Sequence, residues 1–261
     1  LYNNLGSNYF LNTRATKMKS YAFENAEKAF LKAVLLLERE PSQHEALTNS
    51  YRNLCKLNLE RKNKQMALHY FEKAKHTFEK IPNPNPRKKA QFYFDEANML
   101  FKQREITASS LAIERVFKTL IPAYSSAKTV LPNQSALYAE TILLDVLDLQ
   151  AELFLAQSQP KKALESYALA FHIEALFQSL LVYENSKIII QIRNRNRTER
   201  CIAIYQSLFQ KENKKNYLES AFLLAEKTKS IVLKANLNLK KFQSHEEKLL
   251  LEQLQNHNTI I

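Results

Sequence analysis

The sequence predicts an all-α fold, a solenoid of antiparallel helix pairs with long helices. Three observations carry this. First, the 261 residues include one glycine, Gly6, and six valines, whereas Leu, Ala, Lys, Glu and Gln dominate. Strands favour β-branched residues, and the dominant types here are helix formers. Second, one order of small and large residues recurs at helical spacing along the chain. Third, prolines fall at the joints between the recurrences, where helices end. The lone glycine also excludes function classes, since phosphate-cradling loops and dinucleotide folds need glycines where backbone meets ligand. A hydrophobic share of 45% marks a folded chain.

In chain order, the first recurring stripe is Ala26, Phe30, Ala33 and Leu37, spaced i, i+4, i+7, i+11. It returns as Ala67, Phe71, Ala74 and Phe78, then as Ser109, Ile113, Val116 and Leu120. A fourth copy is Ala163, Tyr167 and Ala170, with Glu174 breaking the last place. A small residue lets a neighbouring helix axis approach, and the bulky one fills the space beside it. Upstream of each stripe runs a partner helix: Tyr51, Leu54, Cys55 and Leu59; then Tyr93, Ala97 and Leu100; then Leu147, Ala151 and Phe154. The small residues Cys55, Ala97 and Ala151 precede Ala67, Ser109 and Ala163 by a constant offset of 12 positions in the numbering. In the first unit Leu11, Ala15 and Met18 fit the partner helix if its turn is one residue shorter.

Punctuation agrees with these boundaries. Pro41 follows the first pair, Pro82, Pro84 and Pro86 the second, Pro122 and Pro132 bracket the exit of the third, and Pro160 sits in the turn of the fourth. Without glycine, the tight turns at Arg61–Lys64 and Lys211–Lys214 depend on Asn and Lys.

Lys+Arg number 38 and Asp+Glu 26, a net charge of +12, which raises nucleic acid or an anionic surface as a partner. Most cations are interleaved with acids, the look of a solvated helix face. The exception is the run with Arg193, Arg195, Arg197 and Arg200, in which Arg193, Arg197 and Arg200 share a helix face. That face reads either as solvated or as a basic patch for an anionic partner. Cys55 and Cys201 fit no metal spacing, and the six histidines form no HExxH or Cys/His cluster, so neither metal nor cofactor is expected. No apolar run reaches the length of a membrane span. The chain opens on Leu1 and reads as part of something longer. The expected compartment is the cytoplasm, or the periplasm if a signal peptide has been removed.

The paired stripes resemble the tetratricopeptide repeat. The match covers roughly residues 8 to 178. The period runs 41 from Ala26 to Ala67, 42 from Ala67 to Ser109 and 54 from Ser109 to Ala163, against about 34 in the standard repeat. The departure implies longer helices and an extended helix or insertion near Ser125 to Tyr138. Further on, Asn216–Phe222 followed by Ala225–Ser230 is similar to the last repeat before the caspase-like CHAT peptidase domain of bacterial proteins that join the two. The segment Ser244–Gln255 is similar to the linker helix that family places next. The resemblance implies a right-handed superhelical repeat domain of about five helix pairs over residues 1–240 and a linker helix over 241–261. It brings no catalytic residue, because the strand-rich peptidase domain lies outside this sequence.

Stacked pairs leave a groove lined by the first helix of each pair, where a peptide can lie. The positions offered to it are Asn49, Arg52, Asn53 and Lys56; Gln91, Phe94, Asp95 and Asn98; and Asp145, Asp148 and Glu152. The groove is expected to run from basic to acidic, and each position has the alternative of being merely a solvated polar residue. The expected function is a non-catalytic scaffold that binds a protein or peptide, including its own C-terminal peptidase domain. The alternative is a basic repeat module that binds nucleic acid. No paired-carboxylate, nucleophile or metal constellation supports an enzyme in this chain.

Overall fold

The computed structural model describes residues 1–12, 19–40, 42–127, 129–180 and 184–228, and its regular elements are helices, as expected. Two compact units divide the chain at Ser158 and Gln159.

The first unit holds α1 (Tyr2–Asn12), α2 (Lys19–Leu37), α3 (His44–Glu60), α4 (Lys64–Phe78), α5 (Pro86–Gln103), α6 (Ile106–Leu120) and α7 (Thr141–Ala156). Consecutive helices pair as α1 with α2, α3 with α4 and α5 with α6. The first helix of each pair also touches the next such helix: α1 meets α3, α3 meets α5, and α5 meets α7. No comparable contact joins α2 to α4 or α4 to α6 among the described residues. The row α1, α3, α5, α7 is therefore the inner row of this unit.

Local chemistry sets the helix ends. Asn63 caps α4 by accepting from the Met66 amide at 3.2 Å, and Asn85 caps α5 by accepting from the Arg87 amide at 2.9 Å. Pro86 opens α5 at a position whose N–H has no helical partner anyway. In the two glycine-free turns Lys62 (φ 60°) and Asn213 (φ 51°) take the left-handed conformation. Arg104 does the same after α5, at φ 71°.

The small–large–small stripes form the core. Ala26, Phe30, Ala67, Phe71, Ala74, Ile113 and Val116 are all buried. Each fully buried phenylalanine contributes about 2–3 kcal/mol by removing apolar surface from water. The constant offset has a physical basis in the third pair, where the Ser109 hydroxyl donates to the Ala97 carbonyl at 2.8 Å, small residue against small residue. Phe92 joins the second pair to the third by stacking on Phe78 and Phe71, with centroids 4.3 and 5.3 Å away.

The first pair departs from expectation. Ala15 and Met18 lie outside the described residues, and Leu11 is exposed rather than packed. Gly6 takes the small position, with its Cα face against the Phe30 ring. The long third period is an insertion: residues 121–127 and 129–140 are irregular apart from a 3-10 turn at Gln134–Ala136, and the expected Pro122 and Pro132 fall within them.

The second unit holds α8 (Pro160–Leu180), α9 (Glu184–Glu212) and α10 (Asn216–Thr228), with α8 against α9 and α9 against α10. The turn of the expected fourth pair is thus the boundary between units: α7 packs on α5 and α6, and α8 on α9. Glu212, at the end of α9, meets Lys161 and Lys214 at 2.8 Å and accepts from the Tyr217 hydroxyl at 3.0 Å. These partners lower its carboxyl to about 2. Residues 241–261, the expected linker helix, lie outside the described residues.

Candidate functional site

Of the expected groove positions, those on α3 and α5 come together around one carboxylate. Arg52 projects from α3 and meets Asp95 of α5 through Nη2 at 2.5 Å and Nε at 2.6 Å. Lys56, one turn further along α3, places Nζ 3.0 Å from the other carboxylate oxygen. Gln91 donates to that oxygen from one turn earlier on α5, at 3.2 Å. The spare Arg52 nitrogen donates to the Asn49 side chain at 2.7 Å. Asp95 itself is buried. Burial pushes its carboxyl upward, but Arg52 and Lys56 outweigh that and hold it below the usual carboxylate range.

This corrects the sequence reading of Asp95 as a groove residue facing a ligand. It is an internal counter-ion that ties two helices of the inner row. The basic block is also weaker than expected, because one carboxylate answers both Arg52 and Lys56. Asn53, Phe94 and Asn98 are half-buried beside the cluster, and Asn49 is exposed. On α7, Asp145, Asp148 and Glu152 are half-buried. The surface therefore offers amides, an aromatic edge and partly neutralised charge. These are groups that bind and orient.

The expected basic patch takes a different form. Arg197 points inward in the second unit, with Nη1 2.6 Å from Glu174 and its guanidinium 5.3 Å from the centre of the Phe171 ring. Arg200 is exposed and donates to the Tyr167 hydroxyl at 3.5 Å. The side chain of Arg193 lies outside the described ones. A helical face shared by sequence spacing is thus split between core and solvent, and Arg197 is withdrawn from any surface patch.

A hollow of about 640 Å³, which the sequence did not reveal, lies where the end of α2 meets α3 and α4. Leu37, Leu47 and Tyr51 line it together with His44, His69 and His76. The Tyr51 hydroxyl donates to Glu38 and Lys73 lies 5.4 Å from the centre of the Tyr51 ring, so these polar groups are already engaged. Among the described residues no group of three or more metal-ligating side chains comes together, and no helix is long and apolar enough to cross a membrane.

No family model matches the sequence, and no curated protein matches it. Among solved structures, BtubC (BKLC) from P. vanneervenii is similar over 86% of this chain and 94% of its own, at 13% identity and a TM-score of 0.45. A likeness of that size carries no argument about function. The chain's own geometry defines its class: an all-helical protein of consecutively packed helix pairs, of the helical-repeat kind.

Proposed function

We propose that this chain is a non-catalytic scaffold that binds a protein or peptide along the row formed by α3, α5 and α7. The supporting observation is the Arg52–Asp95–Lys56 cross-link. It fixes the spacing of two recognition helices and leaves the amides of Asn53 and Asn98 beside it, half-exposed. Pre-set polar groups on rigid helices bind with little ordering cost. The nucleic-acid alternative drew on the net charge of +12 and on the arginine run, and the inward turn of Arg197 takes the central member out of that run.

The test is a peptide array probed with the full chain and with an Asn53→Ala/Asn98→Ala variant. Peptides that bind the wild type are expected to lose about tenfold in affinity to the variant. An array without a binder, or binders indifferent to the double change, overturns the reading.

The similarity of Asn216–Phe222 and Ala225–Ser230 to the last repeat before a CHAT domain extends the proposal. In that reading the chain is the recognition and regulatory arm of a cysteine peptidase whose catalytic half follows residue 261. The gene downstream of Ile261 decides this, and a stop codon there would end it.

A further inference from the structure

In the second unit, α10 leaves Leu218, Phe222 and Leu223 outside, 43%, 65% and 66% exposed. Its half-buried side carries Ser220, Ala221 and Ala225, so Phe222, a far larger apolar group, stands in solvent. Large apolar residues on a surface are not by themselves a site, and α4 and α6 expose Leu68 and Leu111 in the ordinary way. What sets α10 apart is the charge at its start. Lys161 and Lys214 both pair with Glu212 at 2.8 Å, which brings the start of α8 to the turn between α9 and α10. Lys162, Lys211 and Lys215, their neighbours in the chain, are exposed at the same end. Glu212 stands among these lysines and Glu165 a turn further along α8, so the lysines are in excess.

Lys215, Leu218 and Phe222 follow at i, i+3, i+7 and share one face of α10, so the basic end runs directly into the apolar stripe. Glu219 lies on the adjoining flank with Leu223, and Glu226 beside Lys227 at the far end of the helix, away from the lysine cluster. We propose that this end of the second unit, with the exposed stripe of α10, binds an anionic lipid surface. Such a surface answers both features at once: its headgroups take the ammonium groups, and its acyl boundary takes the leucine side chain and the phenyl ring. A helix held this way lies in the interface and needs none of the length of a spanning helix. The lysines sit on three separate helix ends as flexible point charges, which suits a fluid plane of headgroups better than a partner read by fixed geometry. A nucleic acid would meet the lysines but leave Leu218 and Phe222 in water.

The experiment is co-sedimentation of the full chain with vesicles of phosphatidylcholine, pure or with about 30% phosphatidylserine. The affinity for the anionic vesicles is expected to exceed that for the neutral ones by about tenfold or more. Lys211→Glu with Lys215→Glu, which leaves both Glu212 pairs in place, lowers it by at least about tenfold. The chain has no tryptophan, so Phe222→Trp supplies a sole reporter, whose emission shifts to the blue when anionic vesicles are added. These positions are all exposed, so thermal melting of each variant should follow the wild type. Equal affinity for the two vesicle types, or no loss in the lysine variant, overturns the proposal. So does attachment without the emission shift, the behaviour of a patch for any polyanion, nucleic acid included. A reporter already blue in buffer means that the chain itself covers this face, and overturns it as well.

Discussion

Glu174 and Arg197, on α8 and α9, form an ion pair at 2.6 Å with side chains only 1% and 2% exposed. Asn194 adds a hydrogen bond to the second carboxylate oxygen at 2.6 Å. A charge taken out of water is costly unless its partners are complete, so removing one member strands the other. Glu174→Leu is expected to lower stability by about 3–5 kcal/mol. The joint change Glu174→Leu with Arg197→Met should fall much nearer the wild type, because no lone charge is left inside. Urea unfolding of the three proteins checks this. A single variant within about 0.5 kcal/mol of the wild type, the usual range for surface changes, contradicts a buried pair.

The same pair shows what the sequence could and could not convey. Glu174 interrupts the fourth stripe by residue type, yet it holds that stripe's buried place, because Arg197 supplies the charge that a stripe of one helix cannot display. The stripes themselves, the prolines at the described joints and the left-handed Asn213 were legible, since each follows from local sterics; in the first glycine-free turn Lys62 takes the left-handed place instead of Asn63, which caps α4. Arg197 and Arg200 share a face by spacing, but the face is wide enough for one to enter the core and the other to meet water. Asp95 looked like a ligand-facing acid because its partners stand 43 residues away for Arg52 and on another helix. Gly6 was seen only as a missing class of turn, since its contact with Phe30 belongs to packing rather than to pattern.

Asp95→Asn should lower stability at neutral pH by about 1–3 kcal/mol, less than a fully buried pair, because Arg52 and Lys56 retain some access to water. The pH dependence has a definite sign. The folded carboxyl lies below its unfolded value of about 3.9, so the unfolded chain takes up the proton first as pH falls. The stabilisation is complete above that value and is lost below it, as pH drops through the folded pKa. Thermal melts from pH 7 to 3 should show wild type and variant converging below about pH 4. A constant gap between them across that range contradicts the linkage.

Cys55 should be chemically silent in the folded protein. Burial, with the Asp95 carboxylate adding to it, pushes the thiol up to about 12, and the opposing pull of Lys56 and Arg52 is smaller. The thiolate is the reactive form, so almost none is present at pH 8. Cys201 is also buried. A colorimetric thiol titration of the native chain at pH 8 is expected to give no rapid signal and both thiols after guanidinium is added. Rapid modification of Cys55 in the native chain contradicts its burial.

Gly6 sits inside α1, where alanine would be favoured by about 1 kcal/mol on helix propensity alone. Packing sets the opposite sign. A Cβ at this position would lie 2.5 and 2.6 Å from two carbons of the Phe30 ring, closer than any such contact tolerates. Phe30 is fully buried, so its ring can yield only by displacing the core of the first and second pairs. Overpacking of this kind costs about 1–3 kcal/mol, which exceeds the helical gain, and Gly6→Ala should lower the melting temperature. Replacing the ring with a smaller side chain supplies the control. Phe30→Leu destabilises the wild type by opening a cavity, but should destabilise Gly6→Ala less, since the new methyl group occupies part of that space. If Gly6→Ala raises the melting temperature, or the two changes add without coupling, the close approach of α1 to α2 is not what holds the first pair together.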